Sequence, residues 1–169
     1  MLKKNIFLKK KILIYGLGKS GLSSFHFLRK KNSIFIYDDN KNITKNKIKK
    51  IFFINYKDIS DKKFDFIVIS PGINIDNCKL KKYLKINKSK IITDLDIFYS
   101  QYHKNKNITI TGTNGKSTTA KILFEVLKDQ KWDVRLTGNI GKPILNEKKI
   151  SLKTIFVIEA SSYQIEYTK

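Results

Sequence analysis

The sequence predicts an α/β fold: a Rossmann-like parallel sheet in the N-terminal part, followed by the start of a P-loop ATPase type of α/β domain. Three observations carry this prediction. Short apolar segments of strand length alternate with segments of helical periodicity. A glycine-rich turn follows two of the apolar segments, and a polar stretch separates the alternating segments into two series. With 169 residues, of which 41% are hydrophobic, the chain can bury a real core, which excludes wholesale disorder.

The N-terminal part is predicted to hold four strands. Short apolar runs place them at residues 11–15, 33–37, 64–70 and 90–93. Amphipathic patterns predict helices at 22–31, 77–86 and 94–102, the last with Asp94 as a possible N-cap. Lysine-rich residues 40–50 are expected to form a loop or a poorly ordered helix.

The alternation restarts after polar residues 103–107, which we interpret as a linker between a domain of residues 1–103 and a partial domain of residues 104–169. Strands are predicted at 108–111, 132–137 and 154–159, with a helix at 117–128. Residues 161–169 show no stop signal and no closing element. Three strands are few for a self-sufficient α/β domain, so the second domain is expected to be truncated.

The charge of the chain is +21, from 35 basic and 14 acidic residues, yet all but two of the basic residues are lysine. Abundant Lys, Asn and Ile are typical of AT-rich codons, and nucleic-acid readers depend on arginine. We therefore expect no nucleic-acid partner. The single cysteine indicates a reducing compartment, and no apolar run is long enough to cross a bilayer, so a soluble cytoplasmic protein without membrane insertion is expected.

All eight glycines and both prolines fall in candidate motifs. The placement of the glycines predicts that they mark backbone positions where a Cβ would not fit. The first motif, Gly16-Leu-Gly18-Lys19-Ser20-Gly21, is a complete G-x-G-x-x-G between a predicted strand and a helix. Such a turn brings phosphate to backbone N–H groups at a helix N-terminus, and Asp38 ends the next strand, where it can accept hydrogen bonds from a nucleotide. An NAD-type cofactor, a UDP-linked substrate and a turn used only for packing all remain open on these residues.

The second glycine motif, Gly112-Thr113-Asn114-Gly115-Lys116-Ser117-Thr118, is a variant P-loop. Ile110 stands where the full pattern has its first glycine. Backbone amides of the turn would cradle phosphates, Lys116 would supply a positive charge, and Ser117 offers a hydroxyl to Mg²⁺. This motif predicts ATP as ligand and Mg²⁺ as cofactor.

An acidic residue, Glu159, ends the last predicted strand downstream of the P-loop. Its position suits a second Mg²⁺ ligand or a group that orients water, and it equally suits an ordinary strand end.

Five motifs in their order along the chain resemble the Mur ligase family, and within it the D-glutamate-adding branch. They are Gly16–Gly21, Ile69-Ser-Pro-Gly-Ile73, Gly112–Thr118, Gly138-Asn-Ile-Gly141 and Glu159-Ala-Ser-Ser-Tyr-Gln164. The resemblance implies a three-domain enzyme of peptidoglycan precursor synthesis, serving cell wall biogenesis, cell shape and division. Such an enzyme uses ATP to activate the carboxylate of UDP-N-acetylmuramoyl-L-alanine as an acyl phosphate, which the amine of D-glutamate then attacks.

The resemblance also implies roles for individual residues. Lys116, Asn139 and Glu159 would be catalytic, with Ser117 and Glu159 as Mg²⁺ ligands and Asn139 at the muramoyl-alanine part. Lys19 and Ser20 would bind the diphosphate through backbone amides, Asp38 would meet the uracil, and Gly72 would let the chain pass close to the nucleotide. Asp39-Asn40 departs from the family's Thr-Arg pair, which places contacts at that edge in question.

The resemblance implies that the C-terminal amino-acid-binding domain is absent, so this polypeptide is expected to be inactive alone and the full-length form monomeric. Two alternatives are weighed against this reading: an NAD-dependent Rossmann oxidoreductase, based on the first turn, and a basic nucleic-acid-binding module, based on charge.

Overall fold

The computed structural model describes residues 6–40, 48 and 50–169, and it contains two parallel sheets. The first sheet has the strand order β2-β1-β3-β4. Its strands are β1 (Lys11–Tyr15), β2 (Ser33–Tyr37), β3 (Phe66–Ile69) and β4 (Ile91–Ile92). All four predicted strands are present, and the third and fourth are shorter than predicted. Residues 41–47 and 49 of the lysine-rich stretch lie outside the described residues.

Four helices accompany this sheet: α1 (Lys19–Leu28), α2 (Tyr56–Ile59), α3 (Lys81–Ile86) and α4 (Asp94–Tyr102). Helix α1 begins three residues earlier than predicted, so Lys19 and Ser20 lie in its first turn. The predicted helix 77–86 is instead a 3-10 turn, Ile75–Asn77, followed by α3. The N-cap of α4 is Thr93, whose N–H donates to the Asp96 carboxylate at 2.7 Å, so the prediction of Asp94 as cap was wrong by one residue.

The second sheet has the order β5-β7-β6, with β5 (Lys106–Ile110), β6 (Val134–Gly138) and β7 (Ile155–Glu159). Helix α5 (Lys116–Asp129) follows β5. The strand β5 begins inside the predicted linker 103–107, because the backbones of Lys106 and Asn107 pair with β7. The domain boundary between residues 103 and 104 stays a prediction.

A final helix, α6 (Ser162–Tyr167), occupies the segment for which no element was predicted. Ser161 is its N-cap and accepts a hydrogen bond from the Gln164 N–H at 3.2 Å, while the Gln164 side chain accepts one from the Ser161 N–H at 3.0 Å. This reciprocal pair is a capping box, and its spacing is visible in the sequence.

The main hydrophobic cluster joins the two sheets. Ile12 and Ile14 of β1 and Phe98 of α4 share it with Phe156 and Ile158 of β7. The connection between β6 and β7 also enters it through a 3-10 turn, Ile144–Asn146, whose two apolar side chains are buried. The Ser23 hydroxyl on α1 donates to the Asn146 side chain at 2.9 Å. The sheets therefore share one core along this side.

Within residues 6–40, 48 and 50–169, no helix combines the length and the apolar character needed to cross a bilayer.

Candidate functional site

The carboxyl edge of the first sheet gathers the residues predicted to bind the nucleotide-linked substrate. Tyr15 at the end of β1 pairs with Tyr37 at the end of β2 and with Ile69 at the end of β3. The segments that follow these strands therefore emerge side by side: the glycine turn 16–21, Asp38, and residues 70–72. This edge is where parallel α/β sheets bind their ligands.

Close packing between the glycine turn and the end of β3 explains two of its glycines. A Cβ at Gly21 would lie 1.9 Å from the Gly16 carbonyl oxygen and 2.7 Å from Ser70 Oγ. A Cβ at Gly16 would lie 2.9 Å from Ser70 Cβ. The Ser70 hydroxyl donates to the Gly16 oxygen at 2.7 Å, which fixes the turn against β3. Ser70 stands inside a quoted motif, but sequence reasoning assigned it no role.

Gly18 and Gly72 are different, because a Cβ at either position would meet nothing within 4 Å. Both are exposed, and neither has the positive φ that favours glycine. The expectation that every glycine marks a position where a Cβ would not fit is therefore wrong at these two. Gly115 is also uncrowded, but its φ of +75° favours glycine. The open space at Gly18, the N-cap of α1, lies where the first N–H groups of a helix lack intrahelical acceptors.

Asp38 is already engaged by the backbone of the site. One carboxylate oxygen accepts the Leu17 N–H at 2.7 Å and the other accepts the Asn40 N–H at 2.8 Å. Each oxygen keeps a second lone pair, so Asp38 orders the turn and can still accept from a ligand.

Asp39, the departure from the family pattern, accepts a hydrogen bond from the Tyr15 hydroxyl at 2.7 Å. Burial, then this bond, raise the pKa of Tyr15. Burial and the negative charge of Asp39 raise the pKa of Tyr37 to about 12. One carboxylate oxygen of Asp39 is therefore hydrogen-bonded within the protein, by the Tyr15 hydroxyl.

The Ser20 hydroxyl points away from the open space. It donates to the Asp94 carboxylate at 2.5 Å, and the other oxygen of Asp94 accepts from the Gln164 side-chain amide at 3.0 Å. Asp94 is 3% exposed, and burial raises its pKa against the opposing effect of these hydrogen bonds. A ligand at this turn would therefore meet the Ser20 N–H rather than the hydroxyl proton.

At the carboxyl edge of the second sheet, the P-loop motif forms the turn between β5 and α5. Gly115 is the N-cap of α5 with φ +75°, a conformation that favours glycine. The Lys116 ammonium group donates to the carbonyl oxygens of Gly112 and Thr113, at 2.7 and 3.2 Å. The lysine thus lies over its own turn, whose residues, Ser117 and Thr118 included, are mostly exposed.

Asn139 lies in a tight turn after β6, beside the end of β7. Its N–H donates to the Glu159 carbonyl oxygen at 2.9 Å, and its side chain is exposed. A Cβ at Gly138 would lie 2.1 Å from the same carbonyl, so only glycine allows the two strands to approach here. The turn therefore presents Asn139 at the same edge as the P-loop.

Glu159 pairs in register with Ile110, the last residue of β5, and with Gly138. It is 4% exposed, and its Oε2 is buried without a hydrogen-bond partner within the described structure. A buried carboxylate oxygen without a donor is costly unless a cation or a ligand completes it. This orphaned oxygen beside the P-loop strand fits a Mg²⁺ ion, which prefers carboxylate and hydroxyl oxygens.

The structure therefore brings the predicted residues together as two sets, one at each sheet edge. The first set is Gly16, Gly18, Lys19, Ser20, Gly21, Asp38 and Gly72, and the second is residues 112–118, Asn139 and Glu159. Sequence reasoning missed Asp94 and Gln164. Asp94 accepts from Ser20 of the first set and from Gln164, five residues after Glu159, across 74 and 70 residues of chain. Gln164 does end the quoted motif Glu159–Gln164, and its spacing after Ser161 is that of a capping box, but neither signal points to Asp94.

Residues 10–92 match the sequence model of the Mur ligase MurD-like N-terminal domain. This N-terminal part of the chain belongs to the Mur ligase family. Its matching region contains the whole first sheet and the first glycine turn, so the family assignment and the geometry of the first edge concern the same residues.

Curated Mur ligases resemble the chain beyond that domain. The UDP-N-acetylmuramoylalanine--D-glutamate ligase of Rickettsia bellii is 36% identical over 165 residues, covering 95% of this chain and 36% of that protein. The enzyme of the same name from Caldicellulosiruptor bescii is 34% identical over 174 residues, covering 95% and 37%. The chain thus spans little more than a third of the length of these relatives.

Among solved structures, UDP-N-acetylmuramate:L-alanyl-gamma-D-glutamyl-meso-diaminopimelate ligase from Neisseria meningitides aligns with a TM-score of 0.48 and 16% identity. The alignment covers 90% of this chain and 52% of that one.

Proposed function

We propose that this Mur ligase chain carries the UDP-substrate site and part of the ATP site of a ligase that adds D-glutamate to UDP-N-acetylmuramoyl-L-alanine in peptidoglycan precursor synthesis. The observation that carries the proposal is the pairing of two glycine turns at two sheet edges, the second of them beside the orphaned Glu159 oxygen.

The first edge suits the UDP carrier. The open space at Gly18 and Gly72 leaves room for a diphosphate beside the N-terminus of α1, where backbone N–H groups and the helix dipole favour anions. Asp38 lies at the end of the neighbouring strand and retains lone pairs for the N–H of a base. Lys19, exposed in the first turn of α1, adds positive charge.

The second edge suits ATP. The turn 112–118 offers backbone amides to the phosphates, and Lys116 would exchange its two carbonyl contacts for phosphate oxygens. Ser117 and Glu159 would hold Mg²⁺, which, when bound, offsets the negative charge of the transferring phosphoryl group.

The reaction proposed for the complete enzyme has two steps. A carboxylate oxygen of the muramoyl-alanine attacks the γ-phosphorus, the bond to the β-phosphate oxygen breaks, and ADP leaves. The amine of D-glutamate then attacks the acyl carbon, loses a proton, and displaces inorganic phosphate to give an amide. In this scheme Lys116 stabilises charge on the phosphates and Asn139 orients the muramoyl-alanine part near its carboxylate.

The partners that follow from this proposal are UDP-N-acetylmuramoyl-L-alanine, D-glutamate and ATP. We propose a cytoplasmic location, because nucleotide-linked precursors and ATP meet there. A monomeric full-length form is also part of the proposal.

Isothermal titration calorimetry tests the function on this chain. We expect binding of UDP, binding of Mg²⁺·ATP, and none of NAD⁺. Lys116→Ala should abolish ATP binding and leave UDP binding intact, whereas Lys121→Ala, an exposed lysine on the same helix, should change neither. Binding of NAD⁺ without UDP would favour the oxidoreductase, and equal loss of UDP and ATP binding in Lys116→Ala would contradict two separate sites.

A further inference from the structure

A partly buried series of hydrogen bonds, which no part of the proposed reaction uses, runs from the first sheet edge to the residues that follow β7. Ser20, in the first turn of α1, donates to one oxygen of Asp94, and Gln164 of α6 donates to the other, at 2.5 and 3.0 Å. The Gln164 side-chain oxygen in turn accepts the Ser161 N–H. Ser161 stands two residues after Glu159, so the contacts run from the first glycine turn to the segment that follows β7.

These bonds lie in surroundings that penalise their loss. Asp94 and Gln164 are 3% and 2% exposed, and Leu95, Phe98 and Ala160 nearby belong to the core shared by both sheets. A buried polar group that loses its partner costs more than an exposed one, because no water replaces the bond. A shift of Ser20 must therefore be followed by Asp94 and Gln164, or the network is left unsatisfied.

We propose that Asp94 is a positioning residue that couples the diphosphate turn of the first sheet to residues 159–164 after the second. It touches neither proposed ligand. Occupation of the turn by a nucleoside diphosphate moves Ser20, Asp94 transmits the movement to Gln164, and the capping box transmits it to the segment that carries Glu159. This inference rests on the proposed UDP site. It adds that binding of the nucleotide at that site adjusts the end of β7, where Glu159 would hold the metal.

Two substitutions at Asp94 separate positioning from simple structural support. Asp94→Ala removes both acceptors. Asp94→Asn keeps an oxygen for the Gln164 amide and places an NH₂ group beside the Ser20 oxygen, which can accept from it, so the link survives with one bond reversed. Asp96→Ala is the matched control, since Asp96 lies on the same helix. Its loss breaks the α4 capping box and the bond from the Lys169 N–H without touching Ser20 or Gln164.

The experiment is a titration of the isotope-labelled chain with UDP, followed by backbone amide NMR. In the wild type, UDP should shift the amides of residues 16–21 and also those of residues 161–164. Asp94→Ala should abolish the second set of shifts and weaken UDP binding by about tenfold. Asp94→Asn and Asp96→Ala should keep both sets, although Asp96→Ala loses stability.

Absence of UDP binding in the wild type would overturn the proposed function itself. Binding with shifts confined to residues 16–21 in the wild type would overturn the coupling alone. Persistence of the shifts at 161–164 in folded Asp94→Ala would overturn it as well, because UDP would then act on that segment without Asp94.

Discussion

Replacing Gly21 by alanine tests the packing on which the first site depends. The new Cβ would lie 1.9 Å from the Gly16 carbonyl oxygen, 3.0 Å from the Gly16 carbonyl carbon and 2.7 Å from Ser70 Oγ. Two of these atoms are backbone, so the conflict cannot be relieved by rotating a side chain. The turn must move away from the helix, and its hydrogen bond with Ser70 is strained or lost.

The expected loss is worked from three effects. Overpacking costs about 1–3 kcal/mol, and a rigid backbone obstacle places this case near the upper end. Loss of the Ser70 bond adds about 1 kcal/mol. Against these losses, alanine stabilises a helix by up to about 1 kcal/mol relative to glycine. We therefore expect Gly21→Ala to lower the free energy of unfolding by about 3 kcal/mol.

Urea unfolding followed by circular dichroism measures the loss, with Gly72→Ala as the control. Gly72 is exposed and a Cβ there would meet nothing within 4 Å, so its stability should change by less than about 0.5 kcal/mol. Its UDP affinity should nevertheless fall, because the new methyl group occupies space left for the nucleotide. A Gly21→Ala protein as stable as the wild type, or an equal loss in Gly72→Ala, would refute the steric reading of the turn.

Three further predictions concern titration and capping. Burial raises the folded-state pKa of Asp94, so the unfolded chain releases this proton at lower pH than the folded chain does. The wild type should therefore lose free energy of unfolding relative to Asp94→Asn as pH rises from about 4 through the folded-state pKa. Urea unfolding of both proteins across this pH range measures the difference. The pKa of Tyr37, about 12, should fall in Asp39→Asn when followed by tyrosine-ring NMR, because a negative charge is removed, but it should stay above 10, because burial, the largest cause of the shift, remains. Ser161→Ala should cost about 1 kcal/mol in thermal or urea unfolding through loss of the α6 cap, while Ser162→Ala costs almost nothing.

The strands and the two sheet edges were predictable from sequence because both depend on local signals. An apolar run such as 11–15 followed by glycine indicates a buried parallel strand and the turn after it, and the carboxyl ends of parallel strands meet at one edge. Lys116 and Glu159 could be assigned to the same edge on that argument alone.

The remaining features depend on tertiary contacts or on signals that were not used. The partners of Asp94 lie 74 and 70 residues away, and no periodicity connects them. The hydrogen bond from the Leu17 N–H to Asp38 arises only when the glycine turn closes beside it. By contrast, Ser161 and Gln164 form a capping box whose spacing predicts α6 directly, so that helix was within reach of sequence reasoning.

The 3-10 turn Ile144–Asn146 determines how the polypeptide can be divided. Ile144 and Leu145 fill the cluster beneath α1 and α4, to which Phe156 and Ile158 also contribute. A polypeptide cut after His103 would expose that apolar surface to water, and the excised second half would expose the complementary side chains. Neither half is then expected to stay monodisperse by itself, and expression trials gain more from keeping both sheets on one polypeptide than from isolating either nucleotide site.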